Sequence, residues 1–315
     1  MNNWILIQSL VVAVSAGTPL VLAGTGEVLT ERSGVLNLGV EGMMLIGAVT
    51  GFWATSASSS PVVGLLVGAA SAAAFSMIHA VLAISMRVNQ IVTGVGLVVL
   101  GTGISSFIGD QGDPAIVRKL SGGIFEPVFP DSFHDWPGIG PLLFSHDPVV
   151  YVSWGFVALA EWYIFRTRRG MNLRAVGHDP ASADAAGLSV SGIRYVHVLV
   201  GGAAAGAGGA YLTLRLFANW FDSLGPMTAG RGWIAVVLVI LASWRPYRLL
   251  LAAYVFGAVS SLGFTLQLLG WNVPTHLLAI LPFLLTYLVM VGVSATQRRS
   301  DAPAALAQPY FRESR

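Results

Sequence analysis

The chain contains no cysteine, which excludes a disulfide framework, a thiolate nucleophile and any cysteine-ligated metal, and leaves the redox compartment open. Charge is nearly as scarce. Asp, Glu, Lys and Arg make up 10% of 315 residues, where a soluble chain uses about a quarter, so a water-exposed surface cannot be covered. No GxxxxGK[ST] motif occurs, which excludes a phosphate-cradling loop of the usual ATPase kind. The histidines at positions 79, 134, 146, 178, 197 and 276 have no HExxH or comparable ligand spacing, so no metal centre is expected.

What is abundant is apolar. The chain is 55% hydrophobic with a mean hydropathy of +0.72 and 37 glycines. Membrane helices tolerate glycine because small residues let backbones approach closely. The fold class expected is all-α, a polytopic integral membrane protein. A net charge of +2 and a pI near 9.1 do not signal nucleic acid here, because the basic residues sit beside apolar runs and set orientation.

Apolar runs at about 4–23, 42–57, 62–86, 90–108, 148–166, 193–213, 231–245, 249–269 and 275–294 predict about nine transmembrane helices. The runs 42–57 and 231–245 are short enough to be broken or re-entrant, an arrangement tolerated where protein surrounds the irregular backbone. A transmembrane body is expected over residues 1–295 and a disordered, Pro/Ala-rich tail over 296–315. The first run lacks a basic leader and reads as a spanning helix, not a cleaved signal.

The segment about 167–192 lies among Arg166, Arg168, Arg169, Arg174 and Arg194, so the positive-inside rule places it in the cytoplasm. Threading from it puts the N-terminus outside and the C-terminus inside a cell (inner) membrane, with the loop about 109–147 on the outer side. Within 167–192, Asp179-Pro180 is an N-cap followed by proline at the first helical position. Gly187 is a left-handed stop. A two-turn helix lying across the inner face invites a partner surface, and an ordinary connecting helix is the plainer alternative.

The stretch Gly24–Gly42 holds Glu27, Glu31, Arg32, Asn37 and Glu41. Ionisable groups at membrane depth are costly and mark function by default. Its interior glycines Gly26, Gly34 and Gly39 predict a bent segment. Two readings stand for it: Glu27, Asn37 and Glu41 line a solute path, or Arg32 pairs with a glutamate and Asn37 caps a helix. Asn89, Gln90 and Thr93 at the start of the fourth run likewise cap that helix or line the path. Arg231 between two glycines is expected to bond carbonyls or a carboxylate, and the stretch 219–222 to lie along the outer surface. No nucleophile, base and metal set converges, so the chain is not expected to be an enzyme or to carry a cofactor.

GEVLTERSGVLNLGVEGMMLIGA (26–48), VNQIVTGVGL (88–97), LRAVGHDPASADAAGLSV (173–190) and MTAGRGWIAVV (227–237) together resemble the membrane-spanning permease of ABC importers of the simple-sugar and branched-chain amino acid class, most like its nucleoside-type branch. The resemblance implies transport of a small polar solute, a nucleoside or simple sugar, by alternating access. It also implies a separate cytoplasmic ATPase, a second permease subunit, identical or homologous, and an external solute-binding lipoprotein, all working in membrane lipid. Residues 173–190 would be the coupling loop, with Arg174, Gly177, Asp179, Pro180, Ala183, Ala186 and Gly187 meeting the ATPase. The rival is an autonomous transporter or channel driven by an ion gradient through Glu27, Glu31 or Glu41.

Overall fold

In the computed structural model the described residues are 2–110, 118–130, 140–221, 226–269 and 301–311, with isolated pieces at 133, 136, 274, 280–281, 284–288 and 291–292. The helices are α1 (Asn2–Arg32), α2 (Val40–Ser58), α3 (Pro61–Ala80), α4 (Gln90–Asp110), α5 (Gly140–Phe144), α6 (Pro148–Arg166), α7 (Arg168–His178), α8 (Pro180–Ala185), α9 (Val190–Tyr211), α10 (Arg231–Leu241) and α11 (Pro246–Leu268). Helices α3 and α9 each run on into a π-helical turn, Val81–Ser85 and Leu212–Leu216.

Five of these helices are long and apolar enough to cross a membrane: α1 from Ile7, α3 and α9 with their π turns, α4 and α6. Helices α2 and α11 have 19 and 23 residues. Helix α10 has 11, a length of roughly 17 Å, about half the hydrocarbon thickness. The run 231–245 is therefore a short helix that starts inside the protein. The run 275–294 lies mostly outside the described residues.

Helix α1 differs from expectation. It continues without a break through Gly24 and Gly26 to Arg32, so Glu27 and Glu31 are helical and the bend is confined to residues 33–39. An unbonded backbone amide in an apolar interior costs more than glycine's conformational entropy, so the helix persists. Gly26 serves packing instead: a Cβ there would lie 2.7 Å from that of Ala204 and 2.9 Å from the carbonyl oxygen of Gly201.

Helix α9 packs against α1, α2 and α3, and α11 lies along α1. The contacts are backbone on backbone. A Cβ on Gly47 of α2 would sit 2.2 Å from the carbonyl oxygen of Gly206 on α9. Association without a hydrophobic force between helices depends on such close approach. Exposed Val92, Val99 and Phe107 on α4 and Val62 and Leu66 on α3 form an apolar outer face suited to lipid.

At one end of the bundle, the strand end, Arg118–Lys119 pairs antiparallel with Asn219–Trp220. Trp220 is fully buried, not spread along a surface, because its Nε1–H donates to Asp110 Oδ1 at 3.2 Å and its ring rests on Gly109. Asp147 anchors the same end: its Oδ1 accepts from the Val149 amide and its Oδ2 from the Tyr211 hydroxyl at 2.6 Å. The opposite end carries α7, α8 and residues 301–311.

Candidate functional site

The polar residues of the first motif converge on the non-helical stretch 33–39. The chain leaves α1 through Gly34 at φ +89°. Asn37 then folds back onto α1, its backbone N–H donating to Glu27 Oε1 at 3.2 Å and its Nδ2 to Glu27 Oε2 at 3.3 Å. Asn37 Oδ1 accepts from the Gly39 amide at 3.0 Å. Leu36 is held on both sides: its N–H donates to Gln90 Oε1 at 2.7 Å, and its carbonyl accepts from His79 Nε2 at 3.1 Å. A carbonyl only accepts, so Nε2 carries the proton; His79 Nδ1 lies 3.1 Å from Thr93 Oγ1.

Glu41, in the first turn of α2, reaches the start of α10. Its Oε1 accepts from the Gly230 amide at 2.9 Å and from the Thr228 hydroxyl, and its Oε2 accepts from the Gly232 amide at 2.6 Å. One carboxyl group thus serves the orphan amides and the positive dipole end of a half-length helix that no residue of its own caps. At the other end of α10 the Trp244 indole donates to Glu31 Oε2. The Trp244 carbonyl accepts from Arg32 Nη2 at 3.1 Å. Arg32 therefore bonds a carbonyl, where the sequence suggested a glutamate. Arg231 donates to the Thr228 carbonyl at 3.0 Å.

Of the six solute-path candidates, the structure brings Glu27 together with Asn37, and Gln90 with Thr93 around Leu36. Glu41 stands apart as the cap of α10. Asn89 caps α4 through the Ile91 and Val92 amides and is exposed, while the other five are buried. All six are bonded to the chain itself. His79, Thr228 and Trp244 complete this joint and were not among the candidates. The signal for His79 was a polar residue inside the apolar run 62–86; Trp244 left none, because only the fold brings it to Glu31.

At the arginine-rich end, Thr167 caps α7 through the Gly170 amide, and Asp179 caps α8 through the Ala181 and Ser182 amides at 3.1 Å each. The Ser182 hydroxyl, followed by these amides, holds the Asp179 carboxyl below the usual carboxylate range. Gly187 closes the turn at φ +86°.

The ATPase-contact candidates divide between two faces. Asp179, Ala186 and Gly187 are exposed, and Arg174 and Pro180 partly so. Gly177 and Ala183 point inward, contrary to expectation. A Cβ on Gly177 would lie 2.1 Å from the Arg32 carbonyl oxygen, so the last turn of α7 touches the end of α1 backbone to backbone. Ala183 packs with Val176 and Val190.

The tail is the largest departure. Residues 301–311, expected to be disordered, lie across this end of the bundle; 296–300 and 312–315 fall outside the described residues. The Ala305 amide donates to the Gly177 carbonyl at 3.0 Å. The carbonyls of Asp301 and Gln308 accept from Arg32 and Arg194 at 3.3 and 3.5 Å. The Arg87 guanidinium stacks 4.7 Å over Phe311. The segment is also held by apolar packing: Ala302 and Leu306 lie against the main core, and Tyr310 against the cluster of Val176, Ala183 and Val190.

Among the described residues no group of His, Asp and Glu could hold a metal ion. No solved structure matches the chain. It is 38% identical to the putative glucose ABC transporter permease protein TsgC13 of Haloferax volcanii, over 95% of this chain and 96% of that one. It is 33% identical to the guanosine ABC transporter permease protein NupQ of Bacillus subtilis, over 98% and 99% of the two chains. It is 32% identical to the nucleoside ABC transporter permease protein NupC of Lactococcus lactis, over 87% and 88%. The profile of the family described as branched-chain amino acid transport system / permease component matches residues 9–291. The chain belongs to that family: it is the multi-pass permease subunit of an ABC importer, with ATP hydrolysis on a partner chain.

Proposed function

We propose that the chain imports a nucleoside or a simple sugar, and that residues 167–192 receive the push of the ATPase. The solute class is taken from relatives named for glucose, guanosine and nucleosides. The proposed orientation has the N-terminus outside and α7, α8 and the C-terminus in the cytoplasm, following the arginines. A second permease subunit and an external solute-binding lipoprotein complete the assembly.

The observation that carries the coupling is the contact of Gly177 with Arg32 and Gly34. A displacement of α7 bears directly on the exit from α1, and from there on Asn37 and Glu27. Helix α10 spans the same region, tied at one end to Glu41 and at the other to Glu31. These two carboxylates therefore link the non-helical stretch to a half-helix that can shift as a unit, the kind of element around which alternating access is built. In this reading Glu27, Asn37, Gln90 and Thr93 shape the solute path by positioning backbone.

The test is uptake of radiolabelled guanosine and glucose into proteoliposomes holding the permease, its ATPase and its receptor. Uptake of one solute that requires ATP and stops with Gly187→Arg, in the turn after α8, supports the proposal. Uptake driven by a proton gradient without the ATPase overturns it.

A further inference from the structure

Three arginines from three different elements surround one aromatic ring. Arg32 of α1, Arg174 of α7 and Arg245 ahead of α11 stand 5.6, 5.6 and 5.5 Å from the centroid of Phe165. Cations crowded this way repel, and the ring offsets only part of that. Two carboxylates are in range. Asp301 lies 3.7 Å from Arg245, and Glu161 of α6 interacts with Arg32 over a longer distance. Among the described residues one positive charge stays unmatched, and Arg174 Nε is buried with no hydrogen-bond partner.

Beside this cluster is a cavity of about 230 Å³ lined by Arg32, Arg174, His178, Asp301, Ala302 and Pro303. One wall is α7 and the other is the C-terminal segment. The segment keeps its place through the Ala305 to Gly177 hydrogen bond, so the cavity exists only while the tail is docked.

We infer that residues 301–311 are part of the docking surface for the ATPase, and that the cavity they form with α7 receives an acidic side chain of that partner. The cavity is lined by the guanidinium-bearing Arg32 and Arg174, and such a site favours a carboxylate over a neutral group, because hydrogen bonds between ionised partners are the stronger ones. The site sits beside α8, so one rigid partner could engage both. The inference rests on the reading that α7 and α8 face the ATPase.

The experiment measures association of the purified ATPase subunit with the full-length permease in nanodiscs at rising salt. Arg174→Gln is expected to weaken association about tenfold at low salt and to flatten its salt dependence. A chain ending at Ser300 is expected to do the same. Asp301→Asn removes a competing carboxylate and is expected to retain or tighten association. Because the chain has no cysteine, Ala304→Cys gives a unique label that should crosslink to the ATPase, and this readout does not depend on a truncated chain folding. Asp179→Arg, at the N-cap of α8, separates the two ideas. If it abolishes association while Arg174→Gln, truncation and the crosslink show nothing, the coupling reading stands and this inference is overturned. If Asp179→Arg is also silent, both fall.

Discussion

Glu41 offers the sharpest test, because a cap and a solute contact fail differently. Its two oxygens accept from two backbone amides, Gly230 and Gly232, and from one hydroxyl. Glu41→Ala leaves both amides in an apolar interior with no acceptor, while the Thr228 hydroxyl can rotate to another. At about 1–3 kcal/mol for each unmet buried donor, the expected loss is about 3–5 kcal/mol. Glu41→Gln keeps one acceptor oxygen and turns an NH₂ toward the other amide, for a loss of about 2 kcal/mol. Taking roughly 2 °C per kcal/mol for a chain of this size, the melting temperature in detergent should fall by about 8 °C for the alanine and about 4 °C for the glutamine. The assay is melting of the purified permease, followed by size-exclusion elution, with uptake measured in parallel at a temperature where each variant is folded. Unchanged melting in both variants would refute the cap. Unchanged melting with lost uptake would make Glu41 a solute or gate contact instead.

Other expectations follow from neighbouring parts of the structure. Gly177→Ala drives a methyl group to within 2.1 Å of the Arg32 carbonyl oxygen; separating α7 from α1 should lower stability by about 1–3 kcal/mol and reduce solute carried per ATP hydrolysed. Asp179→Asn retains a capping oxygen and should keep ATPase association, whereas Asp179→Ala should lose it with α8 unwound. The folded-state pKa of Asp179 is depressed, so its contribution is present above the ordinary aspartate value and lost only as pH falls through the lowered one. Association measured from pH 8 to pH 5, an interval of about three units well above that range, should therefore show no step from this group. Burial pushes the His146 imidazole down, so the unfolded chain binds the proton first. Stability should then decline as pH falls below about 6.5, and His146→Gln should flatten that decline in a melting series.

Much of this molecule was readable from local pattern. The cap, proline and stop of α8 depend only on Asp179, Pro180 and Gly187, and the structure has all three in those roles. The membrane class followed from scarce charge and long apolar runs. The bend expected between Gly24 and Gly42 falls only in residues 33–39, after the helix that carries Glu27 and Glu31. In an apolar surrounding the unmet amide decides, and the helix holds to Arg32.

By itself the sequence determined the membrane class, the family signature and the helix ends written in adjacent residues, since each of these is a property of neighbours along the chain. Only the tertiary structure decided what the charges do. Glu41 serves a helix whose first residue is Arg231, Glu31 answers Trp244, and Gly177 bears on Arg32. Such partners lie up to 213 positions apart, and no local rule selects among the possible pairs. The same holds for residues 301–311, which are held by guanidiniums, the Gly177 carbonyl and apolar side chains of the elements they cover, groups whose positions are set only once the bundle has packed.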